Sequence, residues 1–95
     1  MFVVLAKQRT LPGKSEILKE NVAKLAPQTR QYPGCMTYEL LQSREDENQF
    51  WFYEVWDNEK DFEAHFGADF TKEFEKTLDG VVDGNVEPYV CDVVV

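Results

Sequence analysis

The segment Gln49–Trp56 (QFWFYEVW) carries five aromatic side chains in eight positions and is apolar on both alternations of an extended chain. Phe50, Phe52 and Trp56 fall on one side of such a strand, and Trp51, Tyr53 and Val55 on the other. The opening segment Phe2–Thr10 (FVVLAKQRT) behaves alike, with Phe2, Val4 and Ala6 on one parity and Val3 and Leu5 on the other. An open sheet with helices on one side needs only one apolar face. The second face therefore calls for a cover. A second copy packed sheet to sheet supplies one, so the sequence predicts a homodimer.

Length points the same way. Ninety-five residues make a single domain, residues 1–95, with a marginal core of its own. A content of 43 % hydrophobic and 14 % aromatic residues excludes disorder. The net charge of −8 argues against nucleic-acid and anionic-membrane partners, whose contacts need Lys and Arg. The acid is concentrated after Arg44, in the stretch Glu45-Asp46-Glu47 and between Asp57 and Asp79, where it is interleaved with apolar residues as on a solvated helical surface. No apolar run approaches a membrane span and no basic leader precedes one. With only Cys35 and Cys91, no disulfide framework is expected, and the expectation is a cytoplasmic protein.

Along the chain, Leu11-Pro12-Gly13 ends the first strand. From Lys14 to about Gln31, Ile17, Leu18, Val22, Leu25 and Ala26 recur at helical spacing, with Ser15 as a candidate N-cap and Pro27 as a kink or an end to the regular part. Tyr32-Pro33-Gly34 signals a turn. Cys35–Ser43 reads as a second strand, Arg44–Asn48 as a hairpin loop and Gln49–Trp56 as the third strand. Asp57 or Asn58 can cap a helix that places Phe62, His65 and Phe66 on one face. Asp69–Leu78 continues helically through Phe70, Phe74 and Leu78. Gly80 and Gly84 flank a break, and Asn85–Val95 forms a last strand whose Pro88 marks a bulge or an edge. The order β-α-β-β-α-(α)-β is an α+β, ferredoxin-like arrangement with helices on one face of an antiparallel sheet.

On these residues a resemblance can be stated. Tyr53-Glu54-Val55-Trp56 followed by Phe62 and His65, the stretch Thr29-Arg30 through Pro33-Gly34-Cys35 to Tyr38-Glu39-Leu40, and the Pro12-Gly13-Lys14 turn resemble the antibiotic biosynthesis monooxygenase family. The similarity covers nearly the whole chain. It implies a dimeric α/β barrel, each subunit with a small cavity between sheet and helices. Members similar to this chain include cofactor-independent oxygenases of quinols and polyketide phenols, besides haem-degrading enzymes and an isomerase. The haem-degrading pattern falls at Lys7, His65 and Glu75, where none of its residues is present. The polyketide-oxidising pattern matches at Trp56 and departs at Phe52 and Phe62. The quinol-oxidising pattern matches at Trp56 and His65.

The chemistry-bearing residues each admit two readings. His65, the only histidine, can act as general base toward a phenolic hydroxyl, or can be a half-buried helical residue bonded to a backbone carbonyl. Lys7 can stabilise a developing anion with Arg9 beside it, or either can pair with Glu54 across the sheet. Phe52, Glu54, Trp56, Phe62 and Phe66 line a substrate site in one reading, and four of them are plain core in the other. Trp51 and Tyr53 belong to the dimer interface. One His and two distant Cys make no metal triad, and no phosphate-binding or dinucleotide loop occurs, so neither metal nor cofactor is expected.

The sequence thus predicts a monooxygenase acting with O2 on a small quinol-like or phenolic aromatic substrate, with His65 and Lys7 catalytic and Arg9, Phe52, Glu54, Trp56, Phe62 and Phe66 binding substrate. A non-catalytic binding protein for a hydrophobic metabolite and a non-oxidative isomerase remain open beside it.

Overall fold

The computed structural model describes residues 1–95 and contains β1 (Phe2–Thr10), α1 (Ser15–Arg30), β2 (Cys35–Gln42), β3 (Gln49–Trp56), α2 (Glu59–His65), α3 (Asp69–Lys76) and β4 (Val82–Cys91). The four strands form one antiparallel sheet in the order β2-β3-β1-β4. This is the expected α+β, ferredoxin-like architecture. No helix is long and apolar enough to cross a membrane.

Strand alternation decides what faces the helices. On β1, Val4, Ala6, Gln8 and Thr10 are buried, and the intervening Val3, Leu5, Lys7 and Arg9 are only partly so. The β1–β3 register sets Val4 opposite Glu54 and Ala6 opposite Phe52, so those four share the helix side. Against them α1 lays Leu18, Val22, Leu25 and Ala26, giving one core cluster with Tyr38, Phe50 and Val81. Ile17, expected on this buried stripe, turns outward instead.

Several local expectations need correction. Ser15 is the first residue of α1 rather than its cap; Lys14 precedes the helix and no side chain caps it. The helix runs through Pro27 to Arg30, because Leu25, Ala26 and Thr29 stay packed on the core and only one backbone bond is lost. α3 ends at Lys76, with Leu78 in the turn that follows. β4 starts at Val82 and stops at Cys91, short of the three final valines. Cys91 already pairs with Val3 at the beginning of β1, so the chain beyond it has no strand to pair with. Between Lys7 and Arg9 the β1–β4 register shifts, and Gln8 Nε2 donates to the Gly84 carbonyl there (3.4 Å). Pro88 lies on this edge strand, where a missing amide is tolerated. Of the two expected caps for α2, Asn58 serves: its side-chain oxygen accepts from the Asp61 amide at 2.9 Å.

The other side of the sheet carries no helix. Val3, Leu5, Trp51 and Tyr53 lie there with Leu41 and Tyr89, the last two about half exposed. Both faces of the sheet are apolar, as the two parities of β1 and β3 require.

Candidate active site

A cavity of about 330 Å³ lies between the sheet and the three helices. Its floor is the helix side of β1 and β3, with Val4, Ala6, Gln8, Phe52 and Glu54. Helix α2 adds Phe62 and His65, one helical turn apart, with Phe66 just beyond; α3 and the following turn add Thr71, Phe74, Glu75 and Leu78. The exposed Val86 and Val90 of β4 and the half-exposed Phe66 mark its mouth.

Glu54 is the most unusual of these residues. It is 7 % exposed, and its Oε1 accepts a hydrogen bond from Trp56 Nε1 at 3.1 Å. Residues 54 and 56 point the same way on a strand, so the indole behind the cavity wall holds the carboxyl in place. No salt bridge reaches it: the three ion pairs of the chain are Arg9–Asp46, Lys19–Glu16 and Lys76–Glu73. Burial pushes the Glu54 carboxyl up to about 7, against the opposing pull of the indole hydrogen bond. Tyr38 lies directly opposite on β2, and burial, then the negative charge of Glu54, raises its phenol.

His65 is equally buried, at 5 % exposure. A carbonyl only accepts, so the contact between Nδ1 and the Phe62 carbonyl places the ring proton on Nδ1 and leaves Nε2 an acceptor. The ring stacks on Trp56 (centroids 4.7 Å apart, planes at 26°) and meets Phe66 at 4.3 Å. Burial lowers its pKa, opposed by the Phe62 bond and by Glu75. Thr71 Oγ1 donates to the His65 carbonyl at 2.7 Å and ties α3 to the end of α2.

The structure brings together His65, Phe52, Glu54, Phe62 and Phe66 around one space, with Trp56 packed behind His65 and Glu54. It does not bring Lys7 or Arg9 there. Both occupy the odd parity of β1 and so point to the helix-free face. Lys7 Nζ sits 5.9 Å from the centre of the Trp51 ring. Arg9 bonds Asp46 (2.8 Å) and Gln49 (3.2 Å) at the hairpin loop. The expected pairing of either cation with Glu54 is excluded by the same alternation, since Glu54 is on the opposite face.

Sequence reasoning missed Gln8, Thr29 and Tyr38. The signals were available: Gln8 continues the Val4–Ala6 parity, and Thr29 follows Leu25 by four on α1. Thr29 Oγ1 is fully buried without a hydrogen-bond partner. Its carbonyl and that of Tyr38 are engaged locally, the latter by Arg30 Nε and Nη2 at 3.1 and 2.9 Å. No three of the His, Cys, Asp and Glu side chains gather closely enough to hold a metal ion.

Comparison with known proteins adds the following. The model of a family described as antibiotic biosynthesis monooxygenase matches residues 1–82. None of the curated proteins compared with the chain matches it. Among solved structures, a Nitrosomonas europaea protein superposes with a TM-score of 0.94 at 23 % identity over the full length of both chains. A structure described as an antibiotic biosynthesis monooxygenase gives 0.91 at 22 % identity, again covering both chains completely. A Shewanella oneidensis protein gives 0.83 at 30 % identity, over 95 % of this chain and 89 % of its own.

Proposed function

Because the chain belongs to the antibiotic biosynthesis monooxygenase family, we propose that it oxygenates an electron-rich phenol or quinol held in the cavity between sheet and helices, with no bound cofactor. The observation that carries this reading is the cavity itself: about 330 Å³, walled by aromatic and aliphatic side chains, with Glu54 and His65 as buried ionisable groups in its lining. That volume is at the lower end of the roughly 300–1,000 Å³ of small-ligand sites and suits a planar one- or two-ring compound.

The chemistry follows from the substrate class. Removing the hydroxyl proton turns a phenol into an anion that can reduce O2 directly. One oxygen atom enters the ring and the other leaves in water, so that ArH(OH) + O2 gives a quinone and H2O, with the substrate supplying all four electrons. The chain contributes the proton acceptor, from the Glu54 and His65 pair in the cavity lining. Phe52, Phe62 and Phe66 hold the ring flat and keep water from reactive species. Lys7 and Arg9 have no part in this scheme. The reading takes the protein as a cytoplasmic homodimer, its helix-free sheet faces packed together.

Incubation with 1,4-dihydroxynaphthalene under 18O2 tests the reading. The expected product is the hydroxynaphthoquinone carrying one 18O atom, formed faster than without protein. Unlabelled product, or a rate equal to the protein-free one, overturns it.

A further inference from the structure

On the reading of the cavity as an oxygenase site, we propose that Glu54, and not His65, takes the proton from the substrate hydroxyl, so that the site selects compounds presenting an acidic phenolic or enolic O–H to its free carboxylate oxygen.

Geometry supports this first. Oε1 of Glu54 is occupied by the Trp56 indole at 3.1 Å, and Oε2 has no hydrogen-bond partner in the chain. Oε2 is not sealed off either, since the only fully enclosed unpartnered side-chain oxygen or nitrogen is Thr29 Oγ1. A lone carboxylate oxygen at the wall of an apolar cavity, with its sister oxygen fixed, is an oriented proton acceptor. A burial of this kind is costly without a partner. A substrate O–H is the partner the fold leaves room for.

Charge decides between the two candidates. Transfer from a neutral phenol to neutral His65 creates two new charges, an imidazolium and a phenolate. Transfer to ionised Glu54 moves one negative charge from a carboxylate oxygen to a substrate oxygen, and no new charge is created. In a dry aromatic surround the second course involves far less reorganisation. The step is balanced: the substrate O–H bond breaks, an O–H bond forms at Glu54 Oε2, and the electron pair stays on the substrate oxygen for reaction with O2. His65, its Nδ1 tied to the Phe62 carbonyl and its ring stacked on Trp56, is a positioning residue for the indole that holds Glu54.

The other ionisable groups around Glu54 leave this arrangement intact. Tyr38 and Cys35 approach from β2, and burial, followed by Glu54 itself, raises both. Arg30 of α1 is committed to the Tyr38 carbonyl. His65 comes from α2 and Glu75 from α3, while β1 and β4 line the cavity with the non-titrating Val4, Ala6, Gln8, Val86, Pro88 and Val90. The carboxyl, held near 7 by burial, is ready to change state around neutrality.

Two measurements test the proposal on the full chain. Calorimetric binding of 4-nitrophenol at pH 8, in buffers of different ionisation heat, reads proton uptake without any oxidation. About one proton should be taken up by the native protein and by His65→Gln while the bound ligand keeps the visible absorption of the phenolate, because the phenolate and the Glu54 carboxylate cannot both stay charged in this apolar surround; Glu54→Gln should show no such uptake with the phenolate absorption retained. Uptake lost in His65→Gln and kept in Glu54→Gln overturns the assignment, and failure of the native protein to bind the phenol overturns the substrate class. Oxygen uptake with 1,4-dihydroxynaphthalene across pH 5–9 is the second measurement. The native rate should rise through about pH 7, and Glu54→Gln, which keeps an acceptor for Trp56, should lose that limb and at least ~100-fold in rate. Glu54→Gln within threefold of native overturns the proposal. Absent oxygen uptake with Glu54-dependent proton uptake intact defeats the oxygenase reading and leaves the proton acceptor assigned.

Discussion

Glu54 bonds the edge of the Trp56 indole and His65 stacks on its face, and burial moves their titrations in opposite directions, each toward the neutral form. This makes them stability terms as well as site residues. For Glu54, the folded value near 7 stands above its ordinary 4.5. The native state therefore binds the proton more tightly, and the associated stability is complete below pH 4.5 and lost as pH rises through about 7. The full difference is on the order of 3 kcal/mol at this buried site. Glu54→Gln removes it. The variant should be more stable than the native protein at pH 8, with the gap closing toward pH 4.5, as read by urea denaturation at each pH. A pH-independent gap would show that Glu54 does not titrate between the two values. For His65 the sign reverses: its lowered pKa costs stability as pH falls below the ordinary histidine value of 6.5. At this scale the sequence was legible where a rule of alternation applies. Phe52, Glu54 and Trp56 share a face of β3, as their spacing says. It misled for Lys7 because a cation and a carboxylate on adjacent strands look like a pair until register is known. The register puts Val4, not Lys7, opposite Glu54.

Elements bring these residues together, and the turn before β2 has an outsized part in doing so. Tyr32-Pro33-Gly34 closes α1 through the Tyr32 amide on the Thr29 carbonyl (3.0 Å) and the Cys35 amide on the Tyr32 carbonyl (3.1 Å). The Gly34 carbonyl then accepts from the Asp57 amide at 2.9 Å, fixing the chain just before α2. Gly34 has φ +87°, and a Cβ there would lie 2.6 Å from the Cβ of Asp61 in the first turn of α2. Gly13 has nearly the same φ, +80°, with nothing within 4 Å. The pair separates two effects. Gly13→Ala should cost about 1 kcal/mol for the left-handed backbone alone. Gly34→Ala should cost a further ~1–3 kcal/mol, because the start of α2 must move, and with it Phe62 and His65. Equal losses in thermal or urea denaturation would show that the contact with Asp61 yields freely. All seven elements could be placed from sequence because their apolar periods are strong and Pro-Gly pairs punctuate them. The ends of β4 could not, since strand length there depends on where β1 begins. Nor could the size of the cavity that the resemblance implied between sheet and helices, which depends on how far α3 stands from the sheet.

The whole molecule exposes 6121 Å², above the about 5,650 Å² expected of a compact monomer of 11.1 kDa. Only 19 of 95 residues are buried, which leaves the single chain with a thin core. Part of the apolar surface is gathered on one face. Leu5, Leu41, Trp51, Tyr53 and Tyr89 share the helix-free face, and the Trp51 and Tyr89 rings approach to 6.4 Å across β1. Lys7, Glu39 and Glu87 lie on the same face. A patch holding both signs of charge around an aromatic centre can meet itself across a two-fold axis, which is the condition for an isologous dimer. The molecule measures 35 × 32 × 20 Å, so its broad side can supply the ~800 Å² per partner of a stable interface. Sedimentation equilibrium should therefore give twice 11.1 kDa at tens of micromolar protein. Trp51→Glu, which buries a carboxylate at the centre of the contact, should sediment as a single chain and melt at lower temperature. Lys24→Glu, on the exposed side of α1, should leave the mass unchanged. A native protein that sediments as one chain, or a Trp51→Glu variant that stays paired, would mean that the aromatic face is covered by something other than its own copy.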